Sequence, residues 1–210
     1  IPTDISFKNQ MVSSYNHAIH DDPLVRAYLA LAMGVTRDNF YSTVLIEGLI
    51  DENRESRLAA VQAVGMIGSI EAGARLSDLA QHSDYPDERL ASTIALGHIG
   101  DSKSIPLLKD LLDDEEPNIQ WDAAIGLAKM GDSSGTFIIE NLMDRVYLKA
   151  FPELDEAEKN DAILIAIEVA SFLKNDRLET KLITLAESDE NLKIRDAAMK
   201  TLKSAYNRVL

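Results

Sequence analysis

Residues 84–112, DYPDERLASTIALGHIGDSKSIPLLKDLL, decide the fold. They read as two short amphipathic helices, Glu88–His98 and Ser102–Leu112, joined by a tight turn at Ile99-Gly100-Asp101. The unit recurs on both sides of itself. Arg89 lies eight residues before Gly97 and eleven before Gly100, and Arg57 keeps the same offsets from Gly65 and Gly68. Arg26 lies eight before Gly34, and Gln120 eleven before Gly131. The anchors Arg26, Arg57, Arg89 and Gln120 follow one another at 31, 32 and 31 residues, and Ile163 and Arg195 are again 32 apart. Self-similarity at a fixed period of this length is the mark of a stacked helical array.

The columns inside the repeat have a physical rationale. Nineteen residues after the anchor stand Leu45, Leu76, Leu108, Ile139 and Leu182, and three further on Gly48, Leu79, Leu111, Leu142 and Leu185. Residues at this spacing share one helical stripe, which predicts that each second helix turns it to the core. The first helices carry Ala30, Ala60, Ala95, Ala123, Ala124, Ala166 and Ala198, small enough for neighbouring helices to approach closely. Pro23, Pro86 and Pro117 each precede the anchor position by three residues, where a missing N–H costs nothing at a helix start. Gly68, Gly100 and Gly131 suit the positive φ that closes the first helix. In the next column Asp38, Ser69, Asp101, Asp132 and Asn175 are all capable of capping the second helix. One such hairpin cannot bury its apolar face alone, so the copies must stack.

The pattern R-x-x-A…A-L-G-x-I-G-D followed by I-P-x-L, best in Arg89…Ala95-Leu96-Gly97-His98-Ile99-Gly100-Asp101 and next in Arg57…Ala63-Val64-Gly65-Met66-Ile67-Gly68-Ser69, resembles the HEAT-like repeats of phycobilisome lyases. The resemblance covers most of residues 21–210 and weakens in the fifth copy, where Ile163 fills the anchor slot. It implies an all-α, armadillo-like right-handed α-solenoid of about five hairpins. The expected single domain comprises a leading half-repeat (1–20), repeats at 21–50, 51–82, 83–113, 114–155 and 156–187, and a C-terminal cap (188–210). Phe7, Met11, Val12, Tyr15 and Ile19 mark the apolar face of the leading half-repeat, and the last helix is expected over Asn191–Val209. The arginine column (Arg26, Arg57, Arg89, Arg195) resembles the buried ladder of such stacks, bonded to acids or carbonyls of the neighbouring copy.

The fourth repeat carries about eleven extra residues, placed in 143–157. Their first half is expected to prolong the second helix, with Pro152 stopping it and Asp155 capping the next. Tyr147 and Phe151, four apart, have the spacing of an exposed anchor pair, or of two rings folded back on repeat five. Trp121, the sole tryptophan, shares its column with Leu58, Leu90 and Leu164 and is expected to pack between repeats.

A formal net charge of −14 argues against nucleic-acid and anionic-membrane partners and favours a basic protein or peptide. The composition is 46% hydrophobic but only 6% aromatic, as stacked Ala/Leu-rich helices require. No stretch approaches the roughly 18 unbroken apolar residues of a spanning helix. Cysteine is absent, which excludes disulfides and thiolate metal sites. A cytoplasmic setting is favoured; a periplasmic or membrane-tethered one stays open, because the chain begins at Ile1 rather than Met and an upstream segment has room to exist.

Catalytic chemistry finds little purchase. His17, His20, His82 and His98 form no HExxH, and none is followed by the glutamate of the His-Glu pairs in iron-binding HEAT hydroxylases. His17-x-x-His20 before Asp21-Asp22 reads as a solvated turn rather than a metal site. No phosphate loop or nucleophile elbow appears, so no enzyme activity, cofactor or metal is expected. The expected role is a protein-binding scaffold. Two columns of the second helices, Glu47, Asp78, Asp110, Asn141, Thr184 and Ile50, Gln81, Asp113, Asp144, Glu187, are expected to run along the concave face as an acidic ridge. The candidate contacts are Glu47, Asp78, Asp110, Asp113, Asn141 and Asp144, with Tyr147 and Phe151 from the insertion. The resemblance implies, as alternatives, a phycobilin lyase-like subunit or, more remotely, a relative of HEAT proteins that repair alkylated DNA.

Overall fold

The computed structural model describes residues 4–208, without the side chains of residues 19–21. Every regular element among the described residues is a helix, with no β-strand. The helices run α1 (Ile5–Asp21), α2 (Pro23–Thr36), α3 (Ser42–Gly48), α4 (Arg54–Ile67), α5 (Gly73–His82), α6 (Pro86–Ile99), α7 (Ile105–Asp110), α8 (Pro117–Lys129), α9 (Thr136–Leu142), α10 (Arg145–Leu148), α11 (Glu156–Leu173), α12 (Asp176–Ser188) and α13 (Leu192–Ala205). First helices α2, α4, α6, α8 and α11 alternate with second helices α3, α5, α7, α9 and α12, as the repeat predicts. The chain gathers into two compact units, Ile1–Leu107 and Leu108–Leu210, divided within α7.

Both apolar columns of the second helices are buried, with Leu45, Leu76, Leu108, Ile139 and Leu182 fully so. All seven small residues named on the first helices are buried as well. Glycine eight residues after the anchor has a steric reason that the repeat pattern alone does not show. A methyl group on Gly34 would lie 2.7 Å from Ala63 Cα, and one on Gly65 would lie 2.9 Å from Ala95 Cβ. Successive first helices therefore touch backbone to side chain.

The punctuation is mostly as expected. Pro23, Pro86 and Pro117 open α2, α6 and α8. Gly68, Gly100 and Gly131 sit at φ of 79°, 68° and 76°. Arg37 (54°) and Lys174 (45°) occupy the same place in the first and fifth repeats, so the left-handed residue belongs to the turn rather than to glycine. The expected continuous second helices need correction. In the first four repeats they open with a 3-10 turn, at Asn39–Tyr41, Ile70–Ala72, Ser102–Ser104 and Ser133–Gly135. Asp38, Asp101 and Asp132 cap these turns by accepting the N–H two residues on. Asn175 caps α12 in the same way. Ser69 does not cap: its hydroxyl donates to Glu71 at 3.3 Å instead.

In α1, Tyr15 and Ala18 are buried and Met11 and Val12 half-buried, while Phe7 lies 45% exposed. The Ile19 side chain falls outside the described residues, as does Val209 at the expected end of α13.

Candidate functional site

The arginine column builds a ladder in the first unit. Arg26 lies over the Tyr15 ring at 4.4 Å and reaches Asp51 with its Nε at 2.8 Å. Arg57 donates to the Asp51 carbonyl at 2.6 Å and to the buried Glu88 carboxylate at 2.7 Å, which also accepts from Ser83 Oγ at 2.7 Å. In the second unit Gln120, in the anchor slot, donates to the carbonyl six residues before it (Asp114, 2.6 Å), as Arg57 does. A second column emerges at that position: Asp51, Ser83, Asp114 and Asp189 each accept the N–H two residues on and close the turn into the next first helix.

The insertion departs from expectation. The second helix stops at Leu142, and Asp144 starts the separate helix α10 by accepting from Val146 N at 2.8 Å. Asp155 does cap α11, in a reciprocal box with Glu158. Tyr147 and Phe151 are not an exposed pair. Both rings pack against the buried cluster around Trp121, whose Nε1 donates to Tyr147 Oη at 3.2 Å and whose ring meets Phe151 edge to face at 4.8 Å. Two rings four residues apart bury better against an indole than in water, and their ring partner is Trp121 of the fourth repeat, where the folded-back alternative named repeat five.

Arg145 is the side chain that sequence reasoning missed. Ile163 leaves the fifth repeat without its arginine, and Arg145 supplies one from the insertion. Its Nε and Nη2 grip the two Asp189 carboxylate oxygens at 2.8 Å each, and Nη2 also reaches Asn160 at 2.9 Å. Burial works to raise the Asp189 carboxyl, but the Arg145 bonds and the Asn191 N–H outweigh it and hold it below the ordinary value. The readable signal was Asp189 itself, aligned with Asp51 and lacking a visible partner.

The acidic candidates divide by unit. In the first, Glu47 is exposed beside a cavity of about 410 Å³ that also touches Asn39, Thr43, Ile46 and Glu71. Asp78 is exposed on α5 between Arg75, with which it pairs, and His82 at 3.2 Å. In the second unit Asp110 and Asp113 are exposed, and Asn141 is half-buried on α9. Asp144 is bound twice over, capping α10 and pairing with Lys181 at 2.8 Å; the Lys181 bond, aided by the Val146 N–H, holds its carboxyl below the usual range despite some burial. Asp144, Arg145, Lys181 and Asp189 line a cavity of about 320 Å³. Lys109 and Asp132 pair at 2.8 Å, and that bond, with those from Ser134, holds the Asp132 carboxyl at about 2.

Among the described residues no three His, Asp or Glu side chains converge as metal ligands would. The His20 side chain lies outside that set, and His17 is exposed, its Nδ1 2.7 Å from the Ser13 carbonyl. No described helix is long and apolar enough to cross a membrane.

A family model of HEAT repeats matches residues 16–97 and 82–145. Among solved structures the chain is similar to the complex of CpcE and CpcF of phycocyanin lyase from Nostoc sp. PCC7120, at 20% identity over 96% of this chain and 91% of that one, with a TM-score of 0.58. It is also similar to two designed armadillo repeat proteins. One, YIII(Dq)4CqI, is 19% identical over 92% of this chain and 98% of its own (TM-score 0.54). The other, YIII(Dq.V1)4CPAF in complex with peptide (KR)4, is 19% identical over 92% and 97% (TM-score 0.53). A search of curated protein sequences finds no match.

Proposed function

The chain belongs to the HEAT repeat family, and on that footing we propose that it is a non-catalytic scaffold holding a cationic segment of a partner protein. The observation that carries this reading is the exposure of Glu47, Asp78, Asp110 and Asp113 on or just after second helices, in a chain of net charge −14. Like charges exposed to water raise the local concentration of a cation and relieve their own repulsion when it binds. A related fold in the designed armadillo series is complexed with the peptide (KR)4. That likeness concerns the fold alone; the acidity is this chain's own. Asp144 enters the proposal as a shielded edge, Asn141 as a neutral donor and acceptor, and Tyr147 and Phe151 as the packed support of the insertion rather than as contacts.

The test is titration of a fluorescent Lys/Arg-rich peptide at several salt concentrations. Affinity should fall steeply as salt rises. The double substitution Asp78→Lys with Asp110→Lys should weaken binding at least about tenfold. Binding indifferent to both changes, or absent at low salt, overturns the reading.

The similarity along nearly the whole chain to a phycocyanin lyase complex favours a second reading, a bilin lyase-like subunit. It predicts a shifted bilin absorbance when the protein is mixed with the free chromophore; an unchanged spectrum discards it.

A further inference from the structure

One cavity is built twice in this chain, once in each unit. The first copy, of about 240 Å³, runs along α5 into the turn after it; its lining includes Arg75, Leu79 and Asp84, with Ile50 and Asp51 from the repeat before. The second, of about 320 Å³, runs along α12 in the same way; its lining includes Lys181, Leu185 and Glu190, with Asp144 and Arg145 from the repeat before. Counted from the anchor positions Arg57 and Ile163, the cation comes 18 residues on, the leucine 22 and the acid 27, in both. In the cation's column the other repeats carry Val44, Leu107 and Ile138, so the charge is peculiar to these two.

The charges around each copy settle into pairs and leave one carboxylate over. In the first, Arg57 pairs with the buried Glu88, Asp51 with Arg26, and Arg75 with Asp78. Asp84 is exposed and pairs with no cation among the described residues. In the second, Arg145 grips Asp189 and Lys181 pairs with Asp144. Glu190 is left 75% exposed, 3.3 Å from Arg145 Nη1, on a guanidinium already committed to Asp189. Each surplus carboxylate stands two residues past a helix end, His82 of α5 or Ser188 of α12, where unsatisfied carbonyls add partial negative charge. Both volumes lie near or below the roughly 300 Å³ floor of drug-sized ligand sites, which suits a single side chain. Taking the partner to be cationic, as proposed above, we infer that each cavity seats one lysine or arginine side chain of that partner. The methylene stem lies along Leu79 or Leu185 and the charged head reaches Asp84 or Glu190. Arg75 and Lys181 stand seven residues before their helix ends, about 10 Å away along the axis. Each is neutralised by its own acid, so neither turns the incoming head away.

Titration of a fluorescent Lys/Arg-rich peptide into the 210-residue chain tests this, with variants compared at about 0.1 M salt, where charges more than about 10 Å away are largely screened. Asp84→Asn and Glu190→Gln should each weaken binding at least about threefold. Glu55→Gln and Glu168→Gln remove the same charge from exposed places on α4 and α11 and should change affinity by less than about 1.5-fold. Ser188→Phe fills the second cavity without altering its charge and should weaken binding as much as Glu190→Gln, which a diffuse attraction does not predict. Asp84, Ser188 and Glu190 are exposed, so far-UV circular dichroism should not move. Equal losses from cavity and control variants, a loss at one cavity alone, or binding seen only below 0.1 M salt overturns the two seats and leaves a cationic partner standing. Binding absent at every salt concentration overturns the cationic partner as well.

Discussion

Arg145 holds Asp189 from another repeat, 44 residues further along the chain, through two parallel hydrogen bonds of 2.8 Å. The Asp189 side chain is 2% exposed and the Arg145 side chain 23%, so the pair is largely withdrawn from water. The carboxylate also closes the turn into α13 through the Asn191 N–H. One pair therefore ties the insertion to the start of the last helix.

Arg145→Met should destabilise the protein by about 3 kcal/mol, because it strands a buried carboxylate. Asp189→Asn in the same background should recover part of that loss, since an amide tolerates burial without a cation. Urea unfolding of the single and double variants measures both. Additive losses would mean that the two side chains do not act as a pair.

Burial lifts the Asp122 carboxyl to about 6, with Lys129 opposing the rise. A raised folded-state value means that the native protein holds a proton which the unfolded chain has released, between about pH 4 and pH 6. Stability contributed by Asp122 is thus full below about pH 4 and lost as pH climbs through about 6. Asp122→Asn should remove this slope and gain about 2 kcal/mol at neutral pH relative to the parent. Asp132 behaves oppositely. Its carboxyl, held near 2 by Lys109, contributes above about pH 4, and that contribution drains away as pH falls toward 2. Unfolding free energies of the parent and Asp122→Asn compared between pH 4 and pH 7 isolate the first effect; parallel curves would refute it.

Lys174 takes a left-handed backbone that glycine occupies at Gly68, Gly100 and Gly131. Lys174→Gly should stabilise by up to about 1 kcal/mol, and Gly131→Ala should destabilise by about 1 kcal/mol. A methyl group at Gly131 meets no atom within 4 Å, so the second cost is purely backbone. Midpoints of chemical denaturation at constant m-value report both.

The apolar and turn columns that recur were legible, and most of what the insertion does was not. Leu45, Leu76, Leu108, Ile139 and Leu182 stand in one column, and five copies of one environment leave little freedom over which face they bury. The same holds for the left-handed turn, where Arg37 and Lys174 complete the glycine column. The insertion has no sister copy to set its register. The inward rings of Tyr147 and Phe151 depend on Trp121 in α8, a contact that no periodicity encodes. The acidic columns were legible as positions, but not the fate of each charge. Asp78 meets Arg75 and His82 within its own helix, whereas Lys181 comes to Asp144 from a different repeat.

Trp121 is the sole indole in the chain, and it sits 8% exposed where α8 meets the Tyr147 and Phe151 rings. Its fluorescence is therefore a single-site gauge of whether that aromatic nest stays shut. Emission from a closed nest will be blue-shifted, and it will redden when the loop lifts away, even while the helices keep their circular dichroism. The molecule carries its own optical probe, placed at the one segment that breaks its internal rhythm.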